Sequence, residues 1–146
     1  MARIIGPVPA CSLQGNLSSW GTFTANQVFN DLKTSGDGAF IQGGMKLESN
    51  GKVYVNVRGQ YVWHCQLYAT LNNSQQRCSI RHNGSVSYLA HIQNSGSGQV
   101  SINCSGILDM DAGDYIEMVV DYAGDIYRGA QHSFISGFLV STANHY

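Results

Sequence analysis

The sequence is poor in charge. Of its 146 residues, 8 are lysine or arginine and 9 are aspartate or glutamate, so the formal net charge is −1. Charged residues make up 12% of the chain, against about 25% in an average soluble domain. Without an excess of basic residues, binding to nucleic acid is not expected. Either the chain has a polar but uncharged β-surface, or sister subunits cover much of it; we favour the second, because net charge normally keeps a free monomer from associating.

Proline and long apolar runs are also scarce. Both prolines, Pro7 and Pro9, lie near the N-terminus. No apolar run approaches the length of a membrane span, and the two branched residues that follow Arg3 are too few for a secretory signal. We therefore expect no membrane insertion, no export through a standard signal, and synthesis in a cytoplasm.

Residue types that support catalysis are thinly spread. The chain has no His-x-His, and its only glutamates are Glu48 and Glu117, which argues against the metal centre of a cupin-type enzyme. His64 and Cys65 are neighbours and would face opposite sides of a strand, which removes a local thiol–imidazole pair. We expect no enzyme, no catalytic residue and no cofactor.

One cluster of aspartates has the spacing of possible calcium ligands. Asp109, Asp111 and Asp114 form Asp-x-Asp-x-x-Asp, and carboxylate oxygens can hold calcium. The twelve-residue loop that ends in glutamate is missing, however, and aspartates are common in turns because they hydrogen-bond to nearby backbone. We favour a turn and expect no metal site.

The cysteines allow two interpretations. An even number would permit a disulfide framework in a secreted chain. Three of them instead share the apolar side of predicted strands, as Cys65 does with Tyr61 and Trp63, and unpaired cysteine is among the most buried residue types. Buried reduced thiols are therefore preferred for the whole set, which is Cys11, Cys65, Cys78 and Cys104.

What the chain has in quantity is two-residue alternation. Residues 51–63 read Gly-Lys-Val-Tyr-Val-Asn-Val-Arg-Gly-Gln-Tyr-Val-Trp, with the valines at every second position until Arg58-Gly59 and the alternation resuming at Tyr61 and Trp63. A period of two places each apolar set on one face of a strand. No segment has a helical period. About eight to ten antiparallel strands, separated by turns such as Asn83-Gly84, predict an all-β sandwich or barrel.

The first 19 residues differ from the rest. They lack sustained periodicity and contain both prolines together with Gly6 and Gly15. We expect an extended N-terminal arm over residues 1–19, followed by a single domain over residues 20–146. Such an arm either lies on a neighbouring molecule or is loose. For attachment, the candidate residues are Arg3, Ile4, Ile5 and Leu13.

Three blocks together resemble the jelly-roll family that includes tumour necrosis factor and the globular head of the complement first-component recognition protein. The family's central block is similar to Gly51, Lys52, Val53, Val57, Gly59, Tyr61 and Trp63. Its Gly-Asp turn after an alternating strand is similar to Gly113-Asp114. Its closing Phe-x-Gly-Phe-Leu strand resembles residues 134–139, with a one-residue difference in spacing. The blocks occur in the family's order and cover roughly residues 20–140.

The resemblance implies a jelly-roll sandwich and a homotrimer in which one sheet of each subunit packs along a threefold axis. The residues expected to pack in the core or at the trimer contact are Tyr61, Trp63, Tyr115, Phe134 and Phe138. There is no collagen-like repeat. By analogy we predict a virion protein, particularly of a bacteriophage, that decorates or cements the capsid through the major capsid protein or another virion protein.

The alternative is a recognition module, either the receptor- or glycan-binding head of a phage tail appendage or a secreted module of the same fold. Its partner would be a host-surface receptor or a glycan. Tyr122, Tyr127 and Arg128, in a loop that contains glycines, could bind such a partner by stacking and hydrogen bonding. They could equally form an ordinary loop.

Overall fold

The computed structural model describes residues 6–72, 75–93 and 96–142. Every regular element in these ranges is a β-strand, and they contain no helix that could cross a membrane. The strands form two antiparallel sheets, which confirms the prediction of an all-β sandwich. The described residues form twelve strands, against the eight to ten that were predicted. Four of the twelve are only two residues long, and such short strands have no alternation that a sequence pattern could show.

In chain order the strands are β1 (Ala10–Phe23), β2 (Gln27–Val28), β3 (Leu32–Lys33), β4 (Phe40–Gln42), β5 (Lys46–Leu47), β6 (Val53–Tyr54), β7 (Gly59–Asn72), β8 (Gln75–His82), β9 (Ser85–Gln93), β10 (Ser97–Met110), β11 (Tyr115–Val120) and β12 (Gly124–Thr142). Sheet A has the order β10-β7-β12-β1-β3, with β4 also paired to β1. Sheet B has the order β5-β6-β11-β8-β9, with β2 also paired to β11.

The last strand lies in the middle of sheet A, between β1 and β7. Ala10 near the start of β1 pairs with Phe138 near the end of β12, so the two ends of the described chain lie at one end of the sandwich, which we call the base. At the other end, the apex, Phe23 pairs with Gly124. The chain therefore closes on itself through pairing between residues more than a hundred positions apart.

The core lies between the two sheets and follows the predicted alternation. Tyr61, Trp63 and Cys65 on β7 are fully buried, whereas the intervening Val62 and His64 are half-buried on the opposite face of sheet A. Burial of one large apolar side chain is worth about 1.5–3 kcal/mol. A one-residue slip in register would turn the whole buried set outward, so this alternation fixes which face of β7 meets the core.

The N-terminal segment differs from the prediction of an attachment arm. Residues 10–19 begin β1, which pairs with the central β12, and Leu13 is fully buried in the core. Two features interrupt the apolar alternation of this strand in the sequence. Gly15 has no side chain because a Cβ atom there would overlap the carbonyl groups of Arg128 and Gly129, and the register with β12 shifts over residues 14–20. Residues 10–19 thus belong to the sandwich. The other candidate attachment residues lie outside the described ranges: Arg3, Ile4 and Ile5.

Candidate functional site

Four rows of directly opposed residues on β1, β12, β7 and β10 form the middle of the outward face of sheet A. From base to apex, the rows are Ala10, Phe138, Val62 and Ile107; Ser12, Ser136, His64 and Ser105; Gln14, Phe134, Gln66 and Asn103; and Trp20, Tyr127, Tyr68 and Ser101. We call these residues the sheet A face. None of the residues in these four rows is lysine, arginine, aspartate or glutamate. The adjoining rows carry Asp109 opposite Gln60 at the base and Asp125 opposite Thr70 at the apex.

The base of this face exposes large apolar side chains. Phe138 is 49% exposed and Ile107 is 56% exposed. Phe40 on β4 extends the second row next to Ser12 and is 45% exposed. Contiguous exposed apolar surface is unusual on a free monomer. Aromatic residues without charge are typical of the buried core of protein–protein interfaces.

The outward face of sheet B has the opposite character. The side chain of Asp121 is fully buried and accepts a hydrogen bond from Arg81 at 2.7 Å. The same carboxylate lies 3.4 Å from Nε of Arg77, and Glu117 stands opposite Arg81 across the β11–β8 pair. The outward face of sheet B therefore carries paired charges, together with the exposed apolar residues Val86 and Leu89.

Two of the predicted packing residues lie in the core. The rings of Tyr61 and Trp63 are stacked with centroids 6.1 Å apart, and the Trp63 indole N–H donates to Sδ of Met110 at 3.2 Å. Burial raises the pKa of Tyr61 to about 12 against the opposing effect of its hydrogen bond to the Val57 carbonyl. Gly137 lies directly opposite Trp63, and a Cβ atom there would overlap the indole ring.

The other three predicted packing residues lie outside the core. Phe134 and Phe138 are on the sheet A face. Tyr115 faces outward from sheet B. Its ring lies 5.4 Å from that of Tyr54, and Lys52 Nζ is 4.4 Å from its centroid. Tyr115 is therefore separated from the sheet A face by the thickness of the sandwich.

Tyr127 and Arg128 lie on β12, which corrects their assignment to a loop. The glycines and polar residues around them are typical of loops, but Tyr127 pairs with Trp20 on β1 and with Tyr68 on β7. Tyr127 packs against Trp20 with centroids 5.4 Å apart. Arg128 donates a hydrogen bond to Ser19 Oγ at 2.8 Å, so its guanidinium stabilises the part of β1 where the register shifts. Tyr122 lies in the connection between β11 and β12 and packs beside Arg77 and His91 of sheet B.

No local pattern in the sequence indicated the bulge in β12. Between the pairs Tyr127–Tyr68 and Phe134–Gln66 the register shifts, so that residues 128–133 stand opposite a single residue of β7. Ser133 is fully buried there; its Oγ donates to the Tyr127 carbonyl at 2.6 Å and accepts the Tyr68 N–H at 3.1 Å. One hydroxyl thus replaces the interrupted backbone pairing.

The aspartates near the base stabilise the turn between β10 and β11. Asp114 accepts hydrogen bonds from the Asn83 side chain and from the Asp111 N–H, both at 2.9 Å, and lies 2.8 Å from Nε2 of His82. Burial tends to raise the pKa of Asp114, but these interactions outweigh it and hold the pKa below its usual value. Among the residues that the structure describes, no three His, Cys, Asp or Glu side chains are grouped so as to hold a metal ion.

All four cysteines are buried and unpaired. Sγ of Cys65 on sheet A lies 3.3 Å from Sγ of Cys78 on sheet B. Burial raises the pKa of the Cys11 thiol to about 12. The hydrogen bond with Cys104 lowers the pKa of Cys65, but the hydrogen bond with Cys78 and burial outweigh it, so the pKa of Cys65 is raised well above its usual value. These thiols behave as small apolar groups that fill the space between the sheets.

The order and pairing of the strands define a class of fold, the jelly roll of the tumour necrosis factor type. Among solved structures, the chain is similar to that of Eiger, a tumour necrosis factor from S. frugiperda, with a TM-score of 0.82, 15% sequence identity, and coverage of 96% of this chain and 97% of that one. The likeness confirms the jelly-roll prediction and, at this identity, concerns the fold alone. No family model and no curated protein sequence matches the chain.

Proposed function

We propose that this chain is a non-enzymatic structural protein of a virus particle, a homotrimeric jelly roll that decorates or cements the capsid. The observation that carries the trimer is the uncharged sheet A face with its exposed Phe138 and Ile107. Removing such apolar surface from water favours association, and this face would bury no unpaired charge in the process. The low charge of the whole chain is consistent with a surface that is partly covered.

A threefold ring requires two different complementary patches, because each contact in a cyclic trimer is heterologous. The centre of the sheet A face supplies one patch. The edge strand β10, which carries Ile107, supplies the other. With three copies turned toward one axis, each β10 edge packs on the neighbouring copy, so this edge is no longer open to pairing with unrelated strands.

Two features support the virion part of the proposal. The four unpaired cysteines suit a protein that is made and assembled in a reducing compartment. The start of β1 and the end of β12 share the base, so a trimer could turn its base toward the capsid lattice and its apex outward. A protein that binds only the assembled lattice stabilises it by mass action.

The trimer is tested by native mass spectrometry and light scattering. We expect three times the chain mass of 15.8 kDa. Phe138→Arg places a charge on the sheet A face without disturbing the core and should yield a folded monomer. The matched control is Leu89→Arg, at a residue 50% exposed on the outward face of sheet B, which should remain trimeric. A monomeric wild type, or a Phe138→Arg trimer as stable as the wild type, would contradict the assignment of this face.

The virion location is tested on purified particles. The protein should co-purify with capsids through a density gradient and be seen on the capsid surface with a gold-labelled antibody. Removing it should lower the temperature at which capsids release their contents. Its absence from purified particles would exclude a virion role, whatever its oligomeric state.

A further inference from the structure

Three side chains meet on the outward face of sheet B near the apex. Arg77 on β8 stands opposite His91 on β9. Cζ of Arg77 lies 5.1 Å from the centroid of the Tyr122 ring, and the His91 ring meets the same tyrosine edge-on at 5.8 Å. His91 is exposed, and Arg77 and Tyr122 are partly exposed. Together they form an accessible cluster, which we call the Arg77 cluster.

A buried amide holds two members of this cluster. Gln76 is 2% exposed, and its Oε1 accepts the backbone N–H of Arg77 at 2.9 Å and that of Tyr122 at 3.1 Å. Its Nε2 donates to the Tyr122 carbonyl at 2.9 Å. One side chain beneath the surface therefore fixes the backbone at two positions that are 45 residues apart in the sequence.

A buried carboxylate orients the arginine. Asp121 has no exposed side-chain area and lies 3.4 Å from Nε of Arg77, while Arg81 donates to it at 2.7 Å. A buried ion pair adds little net stability, because desolvation offsets the attraction. The contact between Asp121 and Nε of Arg77, at 3.4 Å, is an ion pair without a hydrogen bond. Among the described residues, none accepts a hydrogen bond from the terminal Nη1 or Nη2 group of Arg77, whose side chain is 31% exposed.

We propose that the Arg77 cluster binds the carboxylate of an acidic sugar. The arginine fork matches a carboxylate in bidentate geometry. Beside it, Tyr122 offers ring surface and a hydroxyl group, and His91 offers ring surface, since its Nε2 lies 2.9 Å from Oε1 of Gln75. A sugar ring requires this mixture of apolar surface and polar atoms. Because Arg77 already lies over the Tyr122 ring and beside the Asp121 carboxylate, part of its side-chain freedom is lost before a ligand binds. The site is complete within one chain, so it adds a recognition function that does not depend on the trimer.

The test compares glucuronate with glucose, which has the same ring without the carboxylate, by isothermal titration and ligand-observed NMR. Glucuronate should bind and glucose should not. Arg77→Gln should weaken glucuronate binding roughly tenfold or more, the loss expected for a charge-assisted hydrogen bond. The matched control is Arg58→Gln, since Arg58 is 64% exposed at the base, where it pairs with Asp111; this variant should keep the wild-type affinity.

Further measurements test whether the arginine binds in bidentate geometry and whether the ligand is a sugar. Arg77→Lys keeps the charge but loses the fork, so it should weaken binding about as much as Arg77→Gln; full affinity in Arg77→Lys would overturn a bidentate site. Absence of glucuronate binding, or equal binding of glucose, would overturn the proposal. If an aspartate-rich peptide binds more tightly than glucuronate, the cluster binds a protein partner, and the proposal of an acidic sugar as its ligand is wrong. Circular dichroism and the oligomer mass, measured for each variant, separate these results from failure of the fold or of the trimer.

Discussion

At the scale of single residues, the core depends on the contact between Trp63 and Gly137. Trp63 is fully buried, and its ring occupies the space that a side chain at Gly137 would need. The indole N–H is hydrogen-bonded to Met110, so this large side chain leaves no polar atom without a partner. These three residues come from three adjacent strands of sheet A and join them in one layer.

Trp63→Ala should lower the free energy of unfolding by about 3–5 kcal/mol, because it removes apolar contacts and leaves a cavity. Chemical denaturation monitored by circular dichroism measures the change. Trp20→Ala, at a residue 37% exposed on the apical row, is the control and should cost much less. Equal losses in the two variants would show that Trp63 is not a core residue.

Gly137→Ala should destabilise the protein by about 1–3 kcal/mol, because the added methyl group forces the Trp63 ring to move in a packed core. The same substitution made in a Trp63→Leu background should cost less, because leucine leaves room for the methyl group. A double-mutant cycle in urea gives the coupling energy. A coupling energy of zero would mean that the two residues do not compete for space.

At the scale of elements, the turn between β10 and β11 is tied to the β8–β9 hairpin. Asp114 in the turn is hydrogen-bonded to Asn83 in the hairpin, and the Tyr115 N–H donates to Oδ1 of Asn83 at 3.0 Å. These contacts join two chain reversals at the base. The Gly-Asp pair that supports the family resemblance therefore has a structural role in this chain.

Acid should weaken this connection. The pKa of Asp114 is lower in the folded state than its usual value, so the carboxylate contributes stability above its unfolded pKa of about 4, and that contribution is lost as the pH falls through the folded value. Between about pH 5 and pH 2 the melting temperature of the wild type should fall more steeply than that of Asp114→Asn. Parallel curves would exclude Asp114 as a source of acid sensitivity.

At the scale of the whole molecule, the two outward faces assign different roles to the two sheets. The sheet A face has exposed apolar groups and no charge, whereas the outward face of sheet B has paired charges and the Arg77 cluster. A trimer formed through sheet A would leave sheet B in contact with solvent. Assembly and recognition could then occur on opposite sides of one sandwich.

If the subunits associate through sheet A, the melting temperature of the wild type should rise with protein concentration, because mass action favours the associated folded state. Differential scanning calorimetry over a hundredfold range of concentration measures this effect. Phe138→Arg should melt at a lower temperature that does not change with concentration. A constant melting temperature in both proteins would mean that folding is not coupled to association.

The sequence by itself determined the class of fold and the inner side of the main strands. A period of two puts Tyr61 and Trp63 on one face whatever their partners are, so their burial was predictable. The turn at Asn83-Gly84 was predictable for a similar reason, since φ is positive at both residues, a conformation that asparagine and glycine tolerate. Such features depend on neighbours in the sequence.

Only the tertiary structure decided which distant segments meet. Residues 10–19 become part of a core strand because β12 lies beside them, although their own pattern is irregular. Tyr122 was expected beside Tyr127 and Arg128 but packs against Arg77 and His91 instead. The reason is that Tyr122 directly follows β11 of sheet B, whereas Tyr127 and Arg128 lie on β12 of sheet A. Local periodicity specifies which way a side chain points along a strand. The residue that it meets is set by pairing between strands far apart in the chain, and that pairing leaves no local signal in the sequence.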